Sequence, residues 1–172
     1  MTLDTASPPA PPSIPDDPPA GFKLIDFQRG GLARDFNSHI GPLYARRGAE
    51  GSADRFVMGF RVQPHMCNPA GTLRGGMMMS VADLIGGMGA AYVAGVRRDF
   101  YPTINMTFDF VAPARLGDWV EGRPEVVRAT RSMIFSHIYL TVGATRILRA
   151  SAIVKLPSGD GWKIGRKDST PA

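Results

Sequence analysis

The sequence predicts an α+β domain in which an antiparallel sheet curls around one long central helix. Three observations predict it. Residues 75–96 carry a single charge, Asp83, among Met, Val, Leu, Ile, Gly and Ala, the composition of a helix enclosed by protein. Runs on either side alternate apolar and polar residues with a period of two, as half-buried strands do. Glycines and prolines punctuate those runs. The 172 residues, 44% hydrophobic and 20% charged, fit one domain with a substantial core.

Seven of the fifteen prolines fall within the first nineteen residues, where large apolar side chains are almost absent. Residues 1–21 are therefore expected to be a disordered arm, because they cannot bury enough surface to offset the entropy of ordering. The domain proper spans 22–157, and 158–172 form a loosely ordered, polar tail. A short helix is expected near 31–40, ending at Gly41-Pro42, followed by strands at 42–45 and 55–63. In the second strand Phe56, Met58, Phe60 and Val62 alternate with Arg55, Val57, Gly59 and Arg61. Residues 64–74 read as a structured loop. After the helix come strands at 103–111, 119–129, 133–142 and 146–156, expected as a four-strand meander with a hairpin at Gly143-Ala144.

Charge and cysteine content narrow the function. The arm carries Asp4, Asp16 and Asp17 and no Lys or Arg, so the net charge of +5 becomes +8 over residues 22–172. One cysteine, Cys67, excludes an internal disulfide framework, and with no signal-peptide pattern at the N-terminus a cytoplasmic location is expected. The 75–96 run is long enough to span a bilayer, but Asp83 near its middle and the absence of aromatic belts argue for a core helix. The basic excess raises nucleic-acid binding, yet no helix-turn-helix, RNA-binding aromatic signature or zinc pattern accompanies it. His65 and Cys67, with His39 or His137, do not make a metal-ligand spacing. Cys67 reads as a small apolar filler rather than a nucleophile. Neither a cofactor nor a metal is expected.

The segment His65-Met66-Cys67-Asn68-Pro69-Ala70-Gly71-Thr72-Leu73-Arg74-Gly75-Gly76, followed by Met79-Ser80-Val81-Ala82-Asp83, resembles the hotdog-fold thioesterases, specifically the phenylacetate-pathway (PaaI-like) and 4-hydroxybenzoyl-CoA thioesterase group. That group carries an Asn, a Gly, then His-Gly-Gly at the helix start and an acidic residue eight positions after the first glycine of the pair. Asn68, Gly71, Gly75, Gly76 and Asp83 occupy those places. The 102–114 stretch is similar to the family's third strand with its closing Pro-Ala. One departure stands out: Arg74 replaces the histidine, whose role therefore does not transfer.

The resemblance implies a hotdog fold, hydrolysis of an acyl-CoA thioester to free acid and CoA, and a homodimer or dimer of dimers with sites between subunits. Coenzyme A enters as part of the substrate. The Gly75 amide, at a helix N-terminus with unpaired N–H groups and the positive dipole end, suits an oxyanion donor; a tightly packed helix start reads equally well. Asp83 is the expected general base or nucleophile, since a carboxylate in an uncharged helix is costly unless paired or functional. Eight residues separate the two, about 12 Å along one helix axis, so a shared site needs two chains.

By the resemblance, Asn68 orients water or the carbonyl, although an Asx-turn before Pro69 accounts for it as well, and Thr103 holds the attacking water. Arg74 and Gly76 are expected at the substrate, Arg74 against either a CoA phosphate or Asp83 of the facing subunit. Arg128, Arg131 and Ser132, with Arg97 and Arg98, are candidates for the CoA phosphates; a solvated basic face is the plainer account. Met77, Met78 and Met79 fill core or line an acyl pocket. Two other readings remain open: a non-catalytic acyl-CoA-binding module, and a 3-hydroxyacyl-thioester dehydratase, which the loss of the histidine disfavours.

Overall fold

The structure, a computed structural model, describes residues 13–27, 36–96 and 100–156. Within them the elements run β1 (Lys23–Leu24), α1 (Phe36–Ile40), β2 (Tyr44–Arg47), β3 (Phe56–Arg61), a 3-10 turn (Pro64–Met66), α2 (Gly75–Leu84), a π turn (Ile85–Gly89), α3 (Ala90–Val93), β4 (Thr103–Phe110), β5 (Trp119–Ala129), β6 (Met133–Val142) and β7 (Thr145–Lys155). The strands form one antiparallel sheet in the order β1-β2-β3-β5-β6-β7-β4. The continuous helical rod of α2, the π turn and α3 touches β3, β4, β5, β6 and β7. A single rod reaches five strands because the twisted sheet wraps it.

That wrapping requires small residues at the contact. A Cβ placed on Gly86 would stand 3.1 Å from that of Ala152, and one on Gly89 would stand 2.9 Å from the Phe56 ring. Gly122 on β5 leaves room for Ile85 and Leu140, both fully buried. The rod from Gly75 to Val93 is as long and apolar as a membrane span, and here its buried side chains, Met77, Met78, Val81, Ala82 and Ile85 among them, join the sheet's core cluster.

Four expectations change. The last four strands are not a meander: β5, β6 and β7 are, while β4 pairs with β7 at the far edge and β3 pairs with β5. The helix carries the chain across the sheet before β4 begins, and alternation within a strand says nothing about which neighbour it takes. β4 is also mostly exposed, Ile104 at 54% and Phe110 at 52%, where the alternation places them inside.

Val57 and Gly59 are buried too, instead of facing solvent. Phe22, Tyr44 and Trp119 cover the outer face of β3 there. Finally, residues 13–21 are not a free arm. Asp16 accepts a 2.7 Å hydrogen bond from the Tyr44 hydroxyl, and Asp17 pairs with Arg61 at 3.1 Å. Burial, followed by Asp16, pushes the Tyr44 hydroxyl up to about 12.

The first helix starts within the described residues only at Phe36, and β2 begins two residues later than expected. The remainder of the expected arm, Arg97 and Arg98, and the tail lie outside the described residues.

Two outcomes follow from the packing and the charges. Gly122→Ala forces a methyl to 2.6 Å from Leu140, and thermal unfolding should record a loss of about 1–3 kcal/mol. Asp54, held below the usual carboxylate range by the Arg123 hydrogen bond against the opposing effect of burial, stabilises the fold above its unfolded value of 3.8 and loses that contribution as pH falls through its folded value. The stability gap between wild type and Asp54→Asn should therefore be wider at about pH 6 than at about pH 3.

Candidate active site

On α2 the buried positions are Met77, Met78, Val81 and Ala82, so the opposite face presents Gly76, Met79, Ser80 and Asp83. Those four recur at i, i+3, i+4 and i+7, one continuous stripe of a helix. The stripe ends at Asp83 because the next residues on that side, Gly86 and Gly87, are covered by Ala152 and Tyr101. Asp83 is thus exposed in the single chain rather than enclosed.

β4 crosses beside the stripe and brings Thr103 to Asp83: the hydroxyl donates a 2.6 Å hydrogen bond to Oδ1. Both residues line an open cavity of about 340 Å³ with Phe36 and Asn37 of α1, Met79, Met106 and Phe108. The bond occupies one lone pair of one carboxylate oxygen, leaving Oδ2 and the Thr103 oxygen's own lone pairs available to a water molecule. Sequence spacing joins Asp83 and Thr103 only through the family resemblance. The sheet order explains it physically, since the strand after the helix returns alongside α2.

Gly75 opens elsewhere. It is the first residue of α2, and among the described residues no backbone carbonyl accepts from the Gly75 or Gly76 amide. It lines a separate cavity of about 360 Å³ with Met78, Phe110, Val111, Ala112 and Pro113. The Phe110 ring lies 3.1 Å from where a Gly75 Cβ would be, so glycine lets that ring approach the helix start. Gly75 and Asp83 face different openings of one chain.

Asn68 lines neither opening. Its Oδ1 accepts from the amides of Ala70 (3.0 Å) and Thr72 (3.2 Å), and its Nδ2 donates to the Thr72 hydroxyl at 2.8 Å. The side chain closes the 68–72 loop, which is the Asx-turn reading, with one amide hydrogen left over. The loop in turn fixes the helix start: Arg74 N donates to Met66 O and Leu73 N to Ala114 O.

Arg74 caps α2 from an extended conformation, and its Nε donates to Cys67 O at 3.3 Å. It shares a third cavity, about 280 Å³, with Phe36, His39, Ile40, His65, Met66, Gly76, Met77 and Ser80. His39 and Ser80 escaped sequence reasoning as cavity residues. The stripe spacing of Ser80 with Gly76 and Asp83 was the available signal; His39 had none.

Arg128, Arg131 and Ser132 are exposed around the β5–β6 turn, where Val126 of β5 joins the cluster containing Ala90 and Ala91 of α3. That is the end of the rod opposite Gly75, and none of the three lines the cavities beside α2. His137 packs against Tyr139 on β6 and does not line the cavity that His39 and His65 share. Burial pushes the Cys67 thiol up, so it is no activated nucleophile.

An antiparallel sheet wrapped around one long helix is the hotdog arrangement, and here it sets a threonine-held carboxylate and a helix start on the same rod. A family model described as "Thioesterase superfamily" matches residues 70–146, which include Gly75, Asp83 and Thr103. The chain belongs to that superfamily, whose class of activity is thioester hydrolysis.

The Pseudomonas aeruginosa protein named "Putative esterase PA0474" is 32% identical over 120 residues, covering 69% of this chain and 85% of that protein. The fold is also that of thioesterase superfamily member 2 from zebra fish (TM-score 0.63, 21% identity, 76% of this chain and 93% of that one). A mutant of the phenylacetic acid degradation protein PaaI from Thermus thermophilus matches at TM-score 0.58 with 20% identity over 71% of this chain and 98% of its own. A hypothetical thioesterase from Streptococcus pneumoniae, crystallised with coenzyme A, matches at 0.52 with 17% identity over 58% and 78%.

The hydrogen bonds of Asn68 yield a discriminating outcome. Asn68→Ala strips two amides and a hydroxyl of their partner and should cost about 1–3 kcal/mol in thermal unfolding. A stable but inactive Asn68→Ala protein would instead assign the side chain to the reaction.

Proposed function

We propose that the protein hydrolyses acyl-CoA thioesters to the free acid and CoA as a homodimer whose two sites each combine Asp83 and Thr103 of one chain with the Gly75 amide of the other. The observation that carries this reading is the 2.6 Å Thr103–Asp83 hydrogen bond at an opening that Gly75 does not line. About 12 Å of helix separates the two halves within one chain, too far to act on one carbonyl. β4 supports the pairing: among the described residues it ends the sheet with one edge unpaired, and it exposes Ile104 and Phe110, with Val111 just beyond it, an arrangement that a second copy relieves by strand addition. Coenzyme A as the thiol rests on the basic surplus of the folded part and on the coenzyme bound to the Streptococcus pneumoniae relative.

In the proposed reaction Thr103 and the Asp83 carboxylate hold a water beside the thioester carbonyl. Asp83 takes the water's proton as the oxygen bonds to the carbonyl carbon. The carbonyl oxygen becomes an oxyanion, and the partner chain's Gly75 N–H, at the positive end of α2, donates to it. The intermediate collapses by breaking the carbon–sulfur bond; the acid leaves on one side, and the thiolate recovers the proton from Asp83.

Asp83→Asn should lower kcat by about a hundredfold or more in a thiol-release assay on a panel of acyl- and aryl-CoA esters, with folding unchanged because the side chain is exposed. Turnover equal to wild type removes Asp83 from the chemistry, and saturable binding without turnover in wild type indicates a binding module instead. The shared site has a sharper test. Gly75→Pro deletes the donor N–H at the helix position where proline is best tolerated. Asp83→Ala and Gly75→Pro chains, each inactive alone, should regain roughly a quarter of wild-type activity when co-refolded, since half the dimers are mixed and each of those has one intact site. No recovery places both groups in one chain.

A further inference from the structure

The cavity beside the stripe has a composition that the hydrolysis itself does not use. His39 from α1, His65 from the 3-10 turn and Arg74 at the α2 cap converge on it, next to Gly76 and Ser80. Among the described residues neither imidazole has a hydrogen-bond or ion-pair partner, and Arg74 engages only its Nε, leaving both Nη groups free. Among the described residues no acidic side chain lines this cavity. Three side chains that can donate, one of them permanently cationic, surround a volume of about 280 Å³, and α2 adds the positive end of its dipole and the open Gly76 amide.

We propose that this cavity is an anion subsite of the thioesterase and that it receives an anionic oxygen group of the substrate, the carboxylate at the far end of the acyl chain. The inference rests on the hydrolytic reading above. The cavity adjoins the Asp83 opening, sharing Phe36 and Ser80 with it, so a chain leaving the thioester can run along the stripe. From Asp83 back to Gly76 is seven residues, about 10 Å of helix, which an extended chain covers in about nine bonds. A medium-length dicarboxylic acyl group has that reach. The pantetheine arm between a thioester and the coenzyme's phosphates is longer, so the phosphate is the second source of the same chemistry. Arg74 presents a planar pair of N–H donors matched to two carboxylate oxygens, a geometry that a histidine at the same place lacks.

The test compares octanedioyl-CoA with octanoyl-CoA, and each with its 3′-dephospho form, on the wild-type protein, Arg74→Gln and the double variant His39→Gln/His65→Gln. The expected result is a preference in kcat/KM for octanedioyl-CoA that falls by about tenfold or more in Arg74→Gln, the loss of one or two hydrogen bonds to a charged group, and by less in the double variant. If Arg74→Gln instead abolishes discrimination between the phosphorylated and dephospho forms, the cavity holds the coenzyme's phosphate, and the carboxylate assignment is overturned while the anion subsite stands. Unchanged ratios in both variants overturn the subsite.

Should a variant fail to fold, the wild-type protein decides alone: octanedioate must inhibit more strongly than octanoate, and equal inhibition overturns the proposal. Should no thioester be turned over at all, the hydrolytic reading fails, and calorimetric binding of octanedioate against octanoate to wild type and Arg74→Gln still reads the subsite.

Discussion

Everything in this protein is arranged around one close contact: an apolar helix pressed to near van der Waals limit against a sheet that bends around it. The contact exists because both partners are trimmed. Gly86 and Gly89 on the rod, Ala152 on β7 and Gly122 on β5 remove the side chains that would hold the two layers apart. With those gaps filled by Ile85, Leu140 and Phe56, the helix has buried its sheet-facing side and has a single polar-capable stripe left over. The stripe is where Asp83 is found. A carboxylate that would be intolerable on the packed side sits on the exposed side, where Thr103 bonds it and a cavity opens beside it.

Much of this was legible in sequence, and the failures have distinct causes. The helix could be read from 75 onward because a near-chargeless run of that length suits little besides a rod enclosed by protein, and the β6–β7 hairpin from alternation broken by Gly143-Ala144. Asp83, Gly75 and Thr103 came forward through spacing and family resemblance. What could not be read was adjacency. Nothing in the residues of β4 distinguishes a strand beside β5 from one beside β7, because each strand's alternation reports which face is buried and never which edge is paired. The double burial of β3 was hidden for a related reason: its cover, Phe22 and Trp119, comes from distant segments.

Two outcomes were chemical. Of the two readings of Asn68, the Asx-turn is the one its bonds to Ala70 and Thr72 display, with one amide hydrogen left over, and a side chain two or four residues from its partners readily forms such local bonds. The acidic arm illustrates the converse. A proline-rich stretch too poor in apolar residues to fold alone still attaches where Tyr44 and Arg61 wait for Asp16 and Asp17. Composition predicts what a segment can do by itself and says little about what a finished surface does with it.

The position of Thr103 carries a consequence of its own. It is the first residue of β4, so the hydroxyl that holds Asp83 belongs to the strand that terminates the sheet, one side bonded to β7 and the other, among the described residues, bare. An edge strand is the least constrained part of a sheet, and its end residue the least constrained part of the strand. Whatever adds to that edge stiffens the hydroxyl as well. Under the proposed homodimer, association and chemical competence are a single equilibrium seen twice, and the reaction order in protein, above one in dilute solution and falling to one as chains pair, reads how far the edge has been covered.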